Sequence, residues 1–261
     1  MTRKPSSPSG RTRAAAVPPH PPGAAARDIR RAHKLLERRL GPLEPPRRLD
    51  PLEELILTVL SQNTSDVNRD RAYASLTERF ASWEEVADAD ARDVADAIRP
   101  GGLANTKAPR IQAILRAIEH EHGKLDLRFL DRMPDDEVRT YLMELPGVGP
   151  KTAACVLAFS LLRPVIPVDT HVRRVAERLG WIPPRTNDAD AHAVLERLVS
   201  ADIRVTTHVG LIRLGREICK PGRPRCEECP LQAMCPTAPA VLSGAWRARE
   251  AVSRRRRARS D

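Results

Sequence analysis

The sequence holds 261 residues, of which 41% are apolar but only 3% aromatic, and its formal net charge is +10. That is enough chain for one large or two modest domains around an aliphatic core. It contains no run of about eighteen apolar residues that would span a membrane and no apolar stretch expected of a secretory leader. The charge excess lies wholly at the ends. Residues 1–27 carry five basic and no acidic side chains, and 241–261 carry seven Arg against Glu250 and Asp261. Between them, 28–240 balance 32 basic against 32 acidic residues. A neutral body that binds nucleic acid must do so through a local patch rather than its overall field.

In chain order, residues 1–27 are expected to be a disordered basic tail, because Pro/Ala/Ser/Arg sequence buries too little surface to order itself. A first helix is predicted over 28–40, ended by Gly41-Pro42. Asp50-Pro51-Leu52-Glu53 then reads as a helix start, with Asp as N-cap, Pro at N1 and Glu at N3. Leu52, Leu55, Ile56, Val59 and Leu60 follow as one buried stripe. Helical periodicity recurs over 67–79, 83–88, 91–98, 107–121, 135–144, 150–161, 170–179, 188–200 and 207–217. Only 163–168 looks extended, and Pro164 and Pro167 forbid a central strand there. The fold class is therefore all-α. The Arg-rich stretch 241–261 is expected to be a second disordered tail.

Between two of these helices lies Leu145-Pro146-Gly147-Val148-Gly149-Pro150-Lys151. Two glycines around one apolar residue allow a sharp turn and close approach of a partner, and Pro150 suits the first helical position. The segment reads equally as a tight helix–turn–helix corner or as a phosphate site made of free N–H groups at a helix start. Lys151 falls in the first turn of the following helix. There it faces the positive end of the helix dipole, a placement that suits an amine nucleophile, although a plain phosphate-binding lysine fits as well. Asp169, in Val168-Asp169-Thr170-His171, precedes an amphipathic helix and is explained by N-capping alone.

Cys219, Cys226, Cys229 and Cys235 are spaced C-x6-C-x2-C-x5-C, whereas Cys155 stands apart in an apolar helix, where it reads as a buried core residue. Four thiols so close read as a metal site. Their chemistry alone leaves zinc and an iron–sulfur cluster open.

Taken together, these motifs resemble the endonuclease III family of helix-hairpin-helix DNA glycosylases. The resemblance rests on Leu-Pro-Gly-Val-Gly-x-Lys, on the Asp of Val-Asp-Thr-His eighteen residues later, and on the cysteine spacing. It runs from about Pro51 to Cys235. It implies a two-lobed fold: a helical barrel over 49–162 that contains the helix-hairpin-helix at about 135–161, and a cluster lobe made of 28–48 plus 163–240. It also implies a 4Fe–4S cofactor on the four cysteines and a bifunctional glycosylase with abasic-site lyase activity, acting on oxidised pyrimidines in double-stranded DNA. In such an enzyme Lys151 attacks the sugar and Asp169 assists it. Gly147, Val148 and Gly149 grip the strand, with His171 close by. The basic loop residues Lys220, Arg223 and Arg225 lean on phosphates. Gln62 or Asn63, and Leu103, would fill the gap left by a flipped base. Two departures bear on lesion preference. The common Ser-Ala-Gln is here Ser61-Gln62-Asn63, and Ala104 stands where an aromatic residue is frequent. The expected setting is a monomer in the bacterial cytoplasm, associated with the nucleoid. The rival readings are a monofunctional glycosylase and a non-catalytic DNA-binding or redox-sensing module.

Overall fold

The computed structural model describes residues 22–246, and all regular structure among them is helical. The helices are α1 (Pro22–Leu40), α2 (Pro51–Leu60), α3 (Asp66–Arg79), α4 (Trp83–Asp88), α5 (Ala91–Ala97), α6 (Ala104–His122), α7 (Asp135–Glu144), α8 (Pro150–Cys155), α9 (Thr170–Arg178), α10 (Asp188–Leu198), α11 (Arg204–Glu217) and α12 (Ala238–Leu242). The α2 start carries the full capping box. Asp50 accepts from the Leu52 N–H, and Glu53 reaches back to the Asp50 N–H. The predicted helix over 150–161 is α8 followed by a π turn over Val156–Ser160, where the Leu161 N–H bonds the Val156 carbonyl at 3.0 Å.

Both predicted tail boundaries need correction. Helix α1 starts at Pro22, so 22–27 are helical. Pro at N1 and the Ala24-Ala25-Ala26 run favour a helix whatever their net charge. At the other end Val241 is fully buried in α12, and the Arg178 guanidinium stacks on the Trp246 ring at 5.1 Å. The remaining tail positions, 1–21 and 247–261, lie outside the described residues.

The apolar residues gather into two main cores. One draws on positions between Leu52 and Val165, from α2 through the π turn. The other joins Ile29–Leu43 of the N-terminal segment to residues between Ile166 and Leu231. Each fully buried Leu, Ile or Val in them contributes about 1.5–3 kcal/mol. Gly210 is what lets α1 and its linker sit close to α11, since a Cβ there would come within 3.0 Å of Leu43 Cδ1. Polar contacts fasten the cores to each other. Arg139 pairs with Glu196 at 3.0 Å, Arg216 forks onto Asp66, and Arg48 Nε donates to the Ser160 carbonyl at 2.7 Å. The chain crosses between the cores twice, between Leu43 and Leu52 and between Val165 and Ile166.

Candidate functional site

The hairpin turns at Gly147, whose φ of +73° is left-handed. A Cβ there would also lie 2.6 Å from Arg110 Nε, so a side chain would have to displace the Arg110 guanidinium as well as strain the backbone. Val148 is buried beneath the turn, and no side chain caps the first N–H groups of α8 after Gly149. Lys151 is half-buried in that first turn. Its Nζ donates to Ser61 Oγ at 3.5 Å, and Ser61 Oγ in turn donates to the Thr58 carbonyl at 2.7 Å. Asp169 is the N-cap of α9, its Oδ1 accepting the Val172 N–H at 2.7 Å.

Lys151 and Asp169 both act electrostatically on the same two buried groups, Cys155 and His208, and the fold thereby brings them into one neighbourhood. His208 donates from Nδ1 to the Pro167 carbonyl at 2.6 Å, because a carbonyl can only accept, and packs on Phe159. Burial drives the His208 pKa down to about 4, with Lys151 adding to the effect and Asp169 opposing it. Glu54 is also buried here, at 4% exposure, with Thr58 Oγ1 donating to its Oε1 at 3.0 Å. Burial pushes its carboxyl up to about 7, partly offset by the Thr58 hydroxyl, Lys151 and Arg69.

These two groups have opposite consequences for stability. Glu54 keeps its proton to about pH 7 when folded but loses it near 4.5 when unfolded, so its contribution falls away as pH rises from 4.5 to 7. His208 stays neutral down to about pH 4 when folded but protonates near 6.5 when unfolded, so its contribution is lost as pH falls from 6.5 to 4. The slopes oppose each other between 4.5 and 6.5. Denaturant titrations across that window should therefore show Glu54→Gln losing stability with acid more steeply than the wild type. Parallel pH dependences would mean that Glu54 ionises normally.

The expected lesion-reading residues stand on two adjoining loops. Asn63 (φ +54°) and Leu103 (φ +51°, 56% exposed) are both held in left-handed backbone, a conformation that costs about 1–3 kcal/mol and must be imposed by its surroundings. Two side chains not singled out from the sequence fasten the neighbouring loop residues. Lys107, only 2% exposed, donates from Nζ to the Leu60 carbonyl at 2.7 Å and the Gly101 carbonyl at 2.8 Å, tying the two loops together. Burial lowers its pKa. Arg110 lies against Gly147 and donates to Gln62 Oε1 at 2.9 Å, so the hairpin and the first loop share one clamp. Lys107 stands one position before Ala108 and four before Ile111, and no motif in the sequence marks either it or Arg110. Helix α6 begins at Ala104, three residues earlier than predicted.

The four clustered cysteines follow α11. Arg178 gathers their loop, donating to Cys219 Sγ at 3.3 Å and to the carbonyls of Lys220 (2.7 Å) and Pro221 (2.9 Å). The Cys235 thiol donates to the Arg178 carbonyl at 3.3 Å, and neighbouring backbone at Leu231, and at Thr237 and Ala238, partly offsets the effect of burial on the Cys229 and Cys235 thiols. Burial raises the Cys226, Cys229 and Cys235 thiols, Cys229 to about 11, and the neighbouring thiols raise one another further. A guanidinium aimed at sulfur beside four closely spaced thiols fits an anionic iron–sulfur cluster. Among the described residues no three His, Cys, Asp or Glu side chains converge as ligands of a single metal ion. Cys155 is buried in α8, away from the four. Lys220, Arg223 and Arg225 are exposed, but Arg223 faces Glu227 at 3.7 Å and Arg225 pairs with Glu228 at 3.0 Å, which tempers the loop's charge. His171 is half-buried against Gly215 of α11, with its Nδ1 3.1 Å from Arg174 Nη2, and burial lowers its pKa.

Residues 56–201 match the family described as HhH-GPD superfamily base excision DNA repair protein. The chain is similar to endonuclease III of Thermotoga maritima, 39% identical over 186 residues, covering 71% of this chain and 83% of that protein. It is 39% identical over 168 residues to At3g47830 of Arabidopsis thaliana, whose name assigns it provisionally to the DNA glycosylases. That match covers 64% of this chain and 57% of the plant protein's length. Among solved structures, a trapped endonuclease III–DNA covalent intermediate superposes with a TM-score of 0.72 at 28% identity, covering 83% of this chain and 98% of that one. No helix among the described residues is long and apolar enough to cross a membrane.

Proposed function

The chain belongs to the HhH-GPD superfamily of base excision DNA repair proteins, and from that premise we propose that it is a bifunctional DNA glycosylase and abasic-site lyase. Its substrate is double-stranded DNA carrying damaged bases, oxidised pyrimidines first among them, or the abasic sites left behind. Lys151 is the nucleophile. Its amine attacks C1′ of the damaged nucleotide and expels the base, and the resulting Schiff base permits β-elimination of the 3′ phosphate. Asp169 stabilises the developing sugar cation and handles its protons. The observation that supports this reading is that a lysine and an aspartate, each at a helix start, both act electrostatically on the same buried His208.

Gly147, Val148 and Gly149 hold the strand as a tight backbone turn, closed by the Val148 N–H on the Leu145 carbonyl at 3.1 Å, with His171 and the Lys220, Arg223 and Arg225 loop on flanking phosphates. Gln62, Asn63 and Leu103 enter the duplex where the nucleotide leaves it. Their left-handed loops are rigid supports suited to that task. The protein works as a monomer on chromosomal DNA in the cytoplasm. The test is incubation with an abasic duplex under borohydride. A covalent adduct is expected, whereas binding without an adduct would reduce the protein to a monofunctional glycosylase or a non-catalytic module.

Cys219, Cys226, Cys229 and Cys235 would hold a 4Fe–4S cluster. Bound there, the group supplies a structural clasp for the basic loop, and the excision chemistry is left to Lys151 and Asp169. Purified protein should be yellow-brown, with about four iron and four sulfide per chain. Cys226→Ser should lose the colour and DNA affinity together. Colourless protein containing zinc would defeat the assignment.

A further inference from the structure

The cysteine loop carries a cover that holding four ligands does not by itself require. Helix α12 follows Cys235 closely, and its buried Ala238 and Val241 form a small third core with Cys226. Gly244, with a left-handed φ of +76°, ends the helix, its N–H closing on the Val241 carbonyl at 3.2 Å. Past that turn Trp246 packs on the same small core, as Cys235 does, and the Arg178 guanidinium lies over its ring at 5.1 Å. The same guanidinium donates to Cys219 Sγ at 3.3 Å, while the Arg178 carbonyl accepts from Cys235 Sγ at 3.3 Å and from Thr237 Oγ1 at 2.8 Å. Trp246 is thus tied to Cys226 through the shared core and to Cys219 through Arg178. Its Nε1 is buried and has no hydrogen-bond partner among the described residues. An indole N–H can only donate, and a buried one ordinarily finds an acceptor because leaving it unpaired is costly. The sulfurs of an anionic iron–sulfur cluster are acceptors of the kind this donor needs.

We propose that Trp246 closes the cysteine site and tunes what it holds. Its indole N–H donates to a sulfur of the group bound by Cys219, Cys226, Cys229 and Cys235, and its ring keeps Arg178 on Cys219 and water off the loop. The inference rests on those four cysteines being 4Fe–4S ligands. The two roles leave separate signatures. A hydrogen bond to sulfur stabilises the more electron-rich, reduced state, so the N–H raises the reduction potential. The ring holds the guanidinium by cation–π attraction and shields the loop beneath it, so it slows the approach of an oxidant. Phenylalanine can reproduce the second role but not the first, because it keeps an aromatic face and carries no donor. Trp246 takes no part in base excision, and its effects are read at the cluster.

The test compares the full wild-type chain with Trp246→Phe and Trp246→Ala, each purified without oxygen and assayed for iron and sulfide. Trp246→Phe should load as the wild type does and bleach in air at close to the wild-type rate. In a potentiometric titration its reduction potential should be more negative, because the donor to sulfur is gone. Trp246→Ala also loses the ring, and its visible absorbance should bleach in air roughly tenfold faster, the lower end of what losing an outer-shell partner does to a metal site. A Trp246→Phe potential that is unmoved or more positive overturns the proposal, since a purely structural tryptophan would leave the potential alone. Equal bleaching of Trp246→Ala and wild type overturns it as well. Should Trp246→Ala fail to load, the Trp246→Phe potential decides the matter. A wild type that holds no iron and sulfide removes the cluster reading and this inference with it. A loaded wild type whose variants match it removes the inference alone.

Discussion

Lys151→Gln should form no trapped adduct with an abasic duplex at any pH, while still binding that duplex. The loss should be complete, because an amide nitrogen has no nucleophilic lone pair and cannot form a Schiff base. Binding should survive because the hairpin's contacts come from backbone at Gly147, Val148 and Gly149, and their geometry is set by the left-handed Gly147 and by Arg110 behind it. The substitution should also be mild for the fold. The side chain is half-buried, its one hydrogen bond to Ser61 Oγ is long at 3.5 Å, and glutamine can replace it. Gel analysis after borohydride gives the first result and fluorescence anisotropy the second. If Lys151→Gln still traps, another amine is the nucleophile and the proposed mechanism fails at its centre.

Asp169→Asn should leave the fold intact and slow base excision by about a hundredfold, equivalent to about 2.7 kcal/mol of lost transition-state stabilisation. The α9 cap needs one side-chain oxygen to accept the Val172 N–H, and asparagine supplies it. It cannot supply the negative charge that would face the developing sugar cation. Asp169→Ala removes both the charge and the cap, so it should be as slow and also less stable by roughly 1 kcal/mol. Single-turnover excision and denaturant melts of the two variants separate the roles. Normal excision by Asp169→Asn beside mere instability of Asp169→Ala would leave Asp169 as a cap and nothing more. The Asn variant carries a second reading, because Asp169 also opposes the lowering of the His208 pKa. Without its charge His208 should bind a proton even less readily, so no gain of a protonated histidine can explain a slower rate.

Much of this molecule is written in short-range pattern. The Asp50 capping box, the α2 stripe, the Asp169 cap and the turn at Gly147 each depend on residues within a few positions of one another, and such rules act before any tertiary contact exists. The cysteine spacing is equally local, which is why the loop was legible without knowing what packs against it. What the sequence could not disclose involves partners far apart along the chain. Lys107 looks like an ordinary helix lysine until α6 brings it to the Leu60 carbonyl, 47 residues away. Arg110 becomes a clamp only when Gln62, 48 residues away, and Gly147 close around it. Glu54 follows Glu53 and reads as another solvated acid of a helix start. Only the packing of α2 on α8 and α3 buries it beside Lys151 and raises its pKa. Composition misjudged the chain ends for the same reason. Low complexity measures what a segment can bury by itself, whereas Val241 and Trp246 are held by surfaces that other segments bring. Secondary structure and motif chemistry were thus settled by neighbours in sequence. The fate of each charged side chain, solvated or buried, was decided by the tertiary structure, because desolvation depends on every element that closes over the group.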